Sequence, residues 1–197
     1  MIETVRRLDT AWTRFEEEAH AAYRGGWRAE STWPSTNSSE LVLTRDLSQA
    51  VDERTPDVLA VRGDVGTTAW ISCAGHLPWG QPTDQRPDEG LSLVYDWPAQ
   101  HEDLEILGYP RLEVTVTSDA PVASLAAKLC SVFPDGTSAL VTRGFLNLCH
   151  RHSSTEPEPL VPGEPITVVL ELEATSWIFE PGHTIRLDLA GADWPNS

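Results

Sequence analysis

Pro181-Gly182-His183-Thr184-Ile185-Arg186-Leu187-Asp188-Leu189 reads as a tight turn feeding an alternating strand, and Asp193-Trp194-Pro195-Asn196 follows a few residues later. Proline fixes its own φ ahead of the turn, and glycine supplies the positive φ such turns need. From there Ile185, Leu187 and Leu189 alternate with Thr184, Arg186 and Asp188, the period of a strand with one apolar and one polar face. Upstream, Phe133-Pro134-Asp135-Gly136-Thr137 has the composition of a hairpin turn, and Thr142-Arg143-Gly144 lies in the strand returning from it.

The same alternation recurs in Leu91, Leu93 and Tyr95, in Leu112, Val114 and Val116, and in Ile166, Val168, Leu170 and Leu172, where only Val169 breaks it. Such strands predict antiparallel sheets with a single buried side. Residues 122–133 and 139–150 form the longest candidate pair. Turn-rich segments separate the strands: Pro78 to Gly90, Gly108-Tyr109-Pro110, Ser153 to Pro165, and Pro181-Gly182. Without βαβ alternation, the pattern predicts a two-sheet sandwich. Only residues 2–23 carry a helical period, with Ile2, Val5, Leu8, Trp12, Phe15 and Ala19 at three- and four-residue spacing and Gly25-Gly26 as a stop. The expected organisation is an amphipathic helix or linker over 1–24 and a sandwich domain over 25–197.

Fourteen basic against thirty acidic side chains give a net charge of −16, which repels phosphate backbones, and no basic patch offsets it. Nucleic-acid binding is therefore not expected. No apolar run approaches the roughly 20 residues needed to cross a bilayer, so no membrane role is expected either. The first residues, Met1-Ile2-Glu3-Thr4-Val5-Arg6-Arg7, contain no apolar core of a signal peptide, and the expected location is cytoplasmic. Cys73, Cys130 and Cys149 lack metal-ligand spacing and are expected to be reduced. A hairpin centred on Asp135-Gly136 places Cys130 opposite about position 141 and Cys149 opposite about 122, so they do not meet within it.

In this order the turn motifs resemble the C-terminal β-domain of the X-Pro dipeptidyl-peptidase and CocE/NonD-type serine hydrolases. The resemblance runs over residues 25–197. It opens at Gly26-Trp27-Arg28 and Trp33-Pro34, continues through Leu41-Val42-Leu43 and Asp84-Gln85-Arg86-Pro87-Asp88, and includes Leu104-Glu105-Ile106-Leu107-Gly108-Tyr109-Pro110. It implies a jelly-roll, galactose-binding-like β-sandwich that serves a serine hydrolase, an esterase or dipeptidyl-peptidase, without itself carrying catalysis. The implied partner is the parent's α/β-hydrolase domain, in cis or in trans, with a homo-oligomer as a further option. A jelly roll truncated at its C-terminal end and stripped of that partner is expected to self-associate through unpaired strand edges and uncovered apolar surface.

A nucleophile elbow has the signature G-x-S-x-G, and no such pentapeptide occurs. Gly136-Thr137-Ser138-Ala139-Leu140 lacks the second glycine and falls in a hairpin. No catalytic residue, cofactor or metal ion is expected. His150-Arg151-His152 would put two imidazoles on one strand face, but a third ligand is not evident. His183 reads as a hydrogen-bonding residue at a strand entry. Arg143 and Arg186, on polar strand faces, could pair with carboxylates. Glu171 and Glu173 share an exposed face. The loop from Cys73 to Asp88, with His76, Trp79, Asp84, Gln85 and Arg86, is the candidate cleft wall or interdomain contact, because long loops ahead of regular strands often carry function. Trp27, Trp33, Trp79, Trp97, Trp177 and Trp194 lie near turns or strand boundaries, as core plugs, as docking surface, or as a sugar-stacking platform. The last option keeps open a second reading, a stand-alone carbohydrate- or protein-binding module.

Overall fold

The computed structural model describes residues 2–7, 24–44, 57–66, 84–98 and 101–194. Strands there are β1 (Ile2–Arg7), β2 (Arg24–Arg28), β3 (Leu93–Trp97), β4 (Leu104–Gly108), β5 (Arg111–Thr117), β6 (Ser124–Val132), β7 (Ser138–Asn147), β8 (Pro165–Glu171), β9 (Thr175–Phe179) and β10 (Thr184–Ala190). Helix among the described residues is confined to α1 (Arg86–Glu89) and a single 3-10 turn at Leu148–His150.

One sheet has the order β3-β10-β6-β7, a second the order β2-β1-β9-β4, and β5 pairs with β8 in a ladder. This ladder continues the second sheet. The β4 strand leads into β5 through Gly108-Tyr109-Pro110, β8 leads into β9 through residues 172–174, and the Leu172 N–H donates to the Pro110 carbonyl at 2.8 Å. The two layers face each other across the core. Leu125, Ala127 and Leu189 of the first sheet pack with Val168, Leu170 and Leu172, while Phe133, Ala139 and Ile185 pack with Trp177 and Phe179.

The long hairpin forms as its sequence predicts. Strands β6 and β7 pair antiparallel, the Phe133 N–H donates to the Thr137 carbonyl at 2.9 Å, and Gly136 sits at φ 85°. A bulge after Leu129 puts Cys130 opposite Leu140, one residue from the expected register. Gly182 also takes a positive φ, 86°. Gly144 is required for a different reason: a Cβ there would lie 2.8 Å from the Glu171 carbonyl oxygen, where the end of β8 crosses β7. Larger side chains would push the two layers apart at that crossing.

Two expectations need correction. Ile2–Arg7 do not begin a helix. They form β1, paired antiparallel with β2, so that Gly25 and Gly26 lie opposite Val5 and Thr4 as strand residues and not as a stop. Ile2, Thr4 and Val5 are β-branched, and a parallel bridge between Val5 and Trp177 ties the ribbon to the second sheet. Pairing to the sheet outweighs a weak helical period. Residues 8–23 lie outside the described residues.

The second correction concerns one-sided burial. It holds for β5 and β8, where Arg111, Glu113, Thr115, Thr167 and Glu171 face outward and the Thr115 and Thr167 hydroxyls meet at 2.8 Å. It fails for β6 and β10. Ala126, Lys128 and Cys130 alternate with the inward Leu125, Ala127 and Leu129, yet they too are buried, as are Asp188 and Ala190. Segments 57–66, 84–91 and 191–194 cover that outer face: Val65 packs with Ala126 and Ala190, and Val61 abuts Gly191.

Trp177 is 3% exposed and sits in the core cluster with Phe133 and Phe179. Its indole N–H has no hydrogen-bond partner among the described residues. Trp177→Ala should therefore lose about 3–5 kcal/mol of stability, measured as a large drop in the urea midpoint. Trp177→Phe, which keeps an aromatic ring and forfeits no hydrogen bond, should fall much less.

Candidate functional site

The described part of the expected cleft loop, Asp84 to Asp88, lies with the adjoining Glu89 on the outer face of the first sheet. Its start is held by backbone. Gln85 N–H donates to the Ser138 carbonyl at 2.8 Å, and Asp84 Oδ1 accepts the Arg86 N–H at 3.1 Å and the Ser138 N–H at 3.4 Å. Burial works to raise the Asp84 pKa, but the Arg86 guanidinium at 2.8 Å and the two N–H donors outweigh it and hold the carboxyl below its ordinary value. Pro87 in the first turn fits a position where no backbone donor is needed.

The end of the segment is held by charge. Lys128 Nζ lies 2.7 Å from Asp88 Oδ2 and 2.8 Å from Asp193 Oδ1, with all three side chains nearly inaccessible to solvent. Asp193 also accepts from Arg143 Nη1 at 3.2 Å, and that guanidinium lies 5.3 Å from the centroid of the Phe145 ring. Burial would lower the Lys128 pKa, but its two carboxylate partners reverse the effect and leave it above the ordinary lysine value. Beside this triad, Arg186 reaches Glu89 Oε2 at 2.7 Å and grips both oxygens of Asp96, each at 2.7 Å. Lys128 and Arg186, on neighbouring strands β6 and β10, thus clamp the two acids of α1.

Between them lie Cys130 and Asp188. The Cys130 S–H donates to Asp188 Oδ2 at 3.5 Å. Burial, and then the Asp188 charge, push the Cys130 thiol well above its ordinary pKa, which makes it a poor nucleophile. Burial and the neighbouring Glu89 charge push Asp188 up to about 7, against the pull of Cys130, Arg186 and Lys128. The charged groups of this face hold segments in place.

Of the residues singled out from sequence, Asp84, Gln85 and Arg86 come together at Ser138, the end of the hairpin. Gln85 is fully buried and Arg86 exposed. His76 and Trp79 lie outside the described residues, as does Cys73. Arg143 and Arg186 do pair with carboxylates, remote in sequence. His150 and His152 do not share a strand face: a 3-10 turn and a bend turn His150 to the Ser153 carbonyl and His152 to Glu158. His183 is buried, bonded to Ser131 and packed on Phe133. Trp177 is a core plug, whereas Trp33 and Trp194 are exposed. Sequence reasoning missed Lys128, Glu89 and Asp188. Lys128 alone had left a trace, as a cation between Ala126 and Cys130 on a face of small residues.

Removing Lys128 would leave Asp88 and Asp193 buried with one cation fewer. Lys128→Met should cost about 3–5 kcal/mol, read by urea denaturation. Because the pair is in direct contact, Lys128→Met and Asp193→Asn should be non-additive by about 0.5 kcal/mol or more. Strict additivity would show that the ammonium is satisfied elsewhere.

The family described as the X-Pro dipeptidyl-peptidase C-terminal non-catalytic domain matches residues 8–197. Cocaine esterase of Rhodococcus sp. is 29% identical over 189 residues, covering 95% of this chain and 31% of the esterase. The chain thus spans about a third of the length of the curated relatives it matches. Among solved structures, an aminopeptidase from a marine sediment archaeon of the Thaumarchaeota aligns with TM-score 0.58 at 23% identity, covering 62% of this chain and 22% of that one. A CocE/NonD family hydrolase from Staphylococcus aureus aligns with TM-score 0.56 at 15% identity, covering 86% and 32%. These structures share the fold. With the family match spanning nearly its whole length, the chain belongs to the X-Pro dipeptidyl-peptidase C-terminal non-catalytic domain family.

Proposed function

We propose that the chain acts as the jelly-roll β-domain of a larger serine hydrolase, an esterase or X-Pro dipeptidyl-peptidase, and itself turns over no substrate. It packs against the α/β-hydrolase domain and presents the loop ending at Asp84-Gln85-Arg86 as part of the cleft wall. The observation that carries this reading is the anchoring of that loop's end. Asp84 and Gln85 are fixed to Ser138, and Asp88 and Glu89 are clamped by Lys128 and Arg186. A cleft wall must hold its position, and a segment with both ends tied to a sheet can do so. Arg86 remains solvent-facing, with its guanidinium braced by Asp84, and is the side chain best placed to meet a substrate or the neighbouring domain.

The purified chain should hydrolyse neither a p-nitrophenyl ester nor an X-Pro amide. Turnover that survives purification and disappears on substitution of one residue of this chain would overturn that part. In the parent enzyme, Arg86→Ala should raise KM by about threefold or more with kcat little changed, as loss of a ground-state contact does. If KM and kcat both stay at the parent's values, Arg86 does not belong to the cleft.

A further inference from the structure

Gly66 and Asp84 stand on either side of residues 67–83, which include the first part of the loop expected to line a cleft, from Cys73. Both sides are fixed. On the first, Val65 is 1% exposed and packs with Ala126 of β6 and Ala190 of β10, and its carbonyl accepts the Trp194 N–H at 2.8 Å. Gly66, at φ 89°, lies so close to Trp194 that a Cβ there would collide with the Trp194 backbone. On the second side, Asp84 and Gln85 are bonded to Ser138, and Asp88 is paired with Lys128.

Both sides lead back to one ammonium. Asp88 Oδ2 lies 2.7 Å from Lys128 Nζ, and Asp193 Oδ1 lies 2.8 Å from the same nitrogen. Asp193 immediately precedes Trp194, so the hold on its carboxylate passes through one peptide unit to the Trp194–Val65 hydrogen bond. Lys128 stands in the middle of β6, opposite Asp188 of β10 on one side and Arg143 of β7 on the other, so its own place is set by the sheet. The backbone bonds at the two sides each hold one of them. A neutral hydrogen bond of that kind contributes less than breaking a buried ion pair costs. We propose that Lys128 is a positioning residue: its ammonium, held between Asp88 and Asp193, fixes both ends of the 67–83 stretch and, through α1, the place of Arg86.

The clamp is a property of this chain. Its service to a cleft rests on the function proposed above, so the two can fail separately. The two ends also differ in a way that can be measured. Asp193 keeps Arg143 Nη1 at 3.2 Å when Lys128 is lost, whereas Lys128 is the cation in contact with Asp88 among the described residues. The Asp88 end should therefore depend on Lys128 more strongly than the Val65 end.

The test is amide hydrogen exchange on the whole chain, corrected for intrinsic rates. The Trp194 N–H reports the Val65 end, the Gln85 and Leu91 N–H groups report the Asp88 end, and the β5 and β8 amides are the reference. In Lys128→Met, protection should fall about tenfold or more at Gln85 and Leu91 and about threefold at Trp194, with the reference little changed. Asp88→Asn should loosen the Asp88 end alone, and Asp193→Asn the Val65 end alone. These two variants carry the test if Lys128→Met fails to fold. Protection that survives at an end whose ionic partner has been removed, or that falls equally at both ends and the reference in every variant, would overturn the clamp.

In the parent enzyme, Lys128→Met should raise KM about threefold with kcat little changed, and should add nothing further in an Arg86→Ala background. A merely structural loss would shrink the active fraction, lowering apparent kcat and leaving KM alone. The expected exchange pattern with an unaltered KM would leave the clamp standing and remove its part in a cleft.

Discussion

Lys128 projects from the middle of a central strand into a space almost closed to solvent, and its ammonium must be satisfied there. Among the described residues Asp88 and Asp193 reach it, and they come from segments 105 residues apart in the chain, one ahead of β3 and one after β10. Burying these charges is not an efficient source of stability. Desolvation consumes much of the Coulomb gain, and a well-packed apolar cluster would do as well or better. The ion cluster supplies position. Apolar side chains could slide over the small residues Ala126, Cys130 and Ala190, whereas an ammonium between two carboxylates accepts one placement. The register of two loops on the sheet follows from that placement.

The two layers of the sandwich are accordingly asymmetric. The β5–β8 face carries a threonine pair and alternating charges, needs no cover, and exposes every second residue. The outer face of β6 and β10 carries alanines, a cysteine and a few charges, and among the described residues it is covered by three segments without regular sheet structure. Loops laid over a sheet must satisfy their own polar groups. Here Gln85 N–H bonds Ser138, Trp194 N–H bonds the Val65 carbonyl at 2.8 Å, and the charged ends meet Lys128, Arg143 and Arg186.

The strands were legible from sequence because their signal is local. Leu112, Val114 and Val116 alternate with polar residues since one face of β5 is wet, and Asp135-Gly136 turns where a turn is needed. Of the candidate loop's described residues, Asp84 to Arg86 do form one cluster, at Ser138. What could not be read was what lies on top of β6 and β10. Arg186 and Asp188 look like any solvent-facing pair in an alternating strand. Only the fold shows that Glu89, 97 residues from Arg186, closes over them. The N-terminal strand was hidden for the same reason: Val5 meets Trp177 from across the chain, and that pairing overrides the helical spacing of its neighbours.

Charge balance connects these features. The chain carries a net −16, and the buried cluster repeats that bias on a small scale, with more acids than bases. An acid surplus at the surface is screened by water and salt within roughly 10 Å, but a surplus beneath α1 is not. Such a site must recruit another cation, admit water, or hold a proton. Asp188, whose pKa burial and the Glu89 charge push up to about 7, takes the third course. The same scarcity of cations that makes Lys128 indispensable to two loops therefore leaves the neighbouring carboxyl to settle its charge with the solvent's protons.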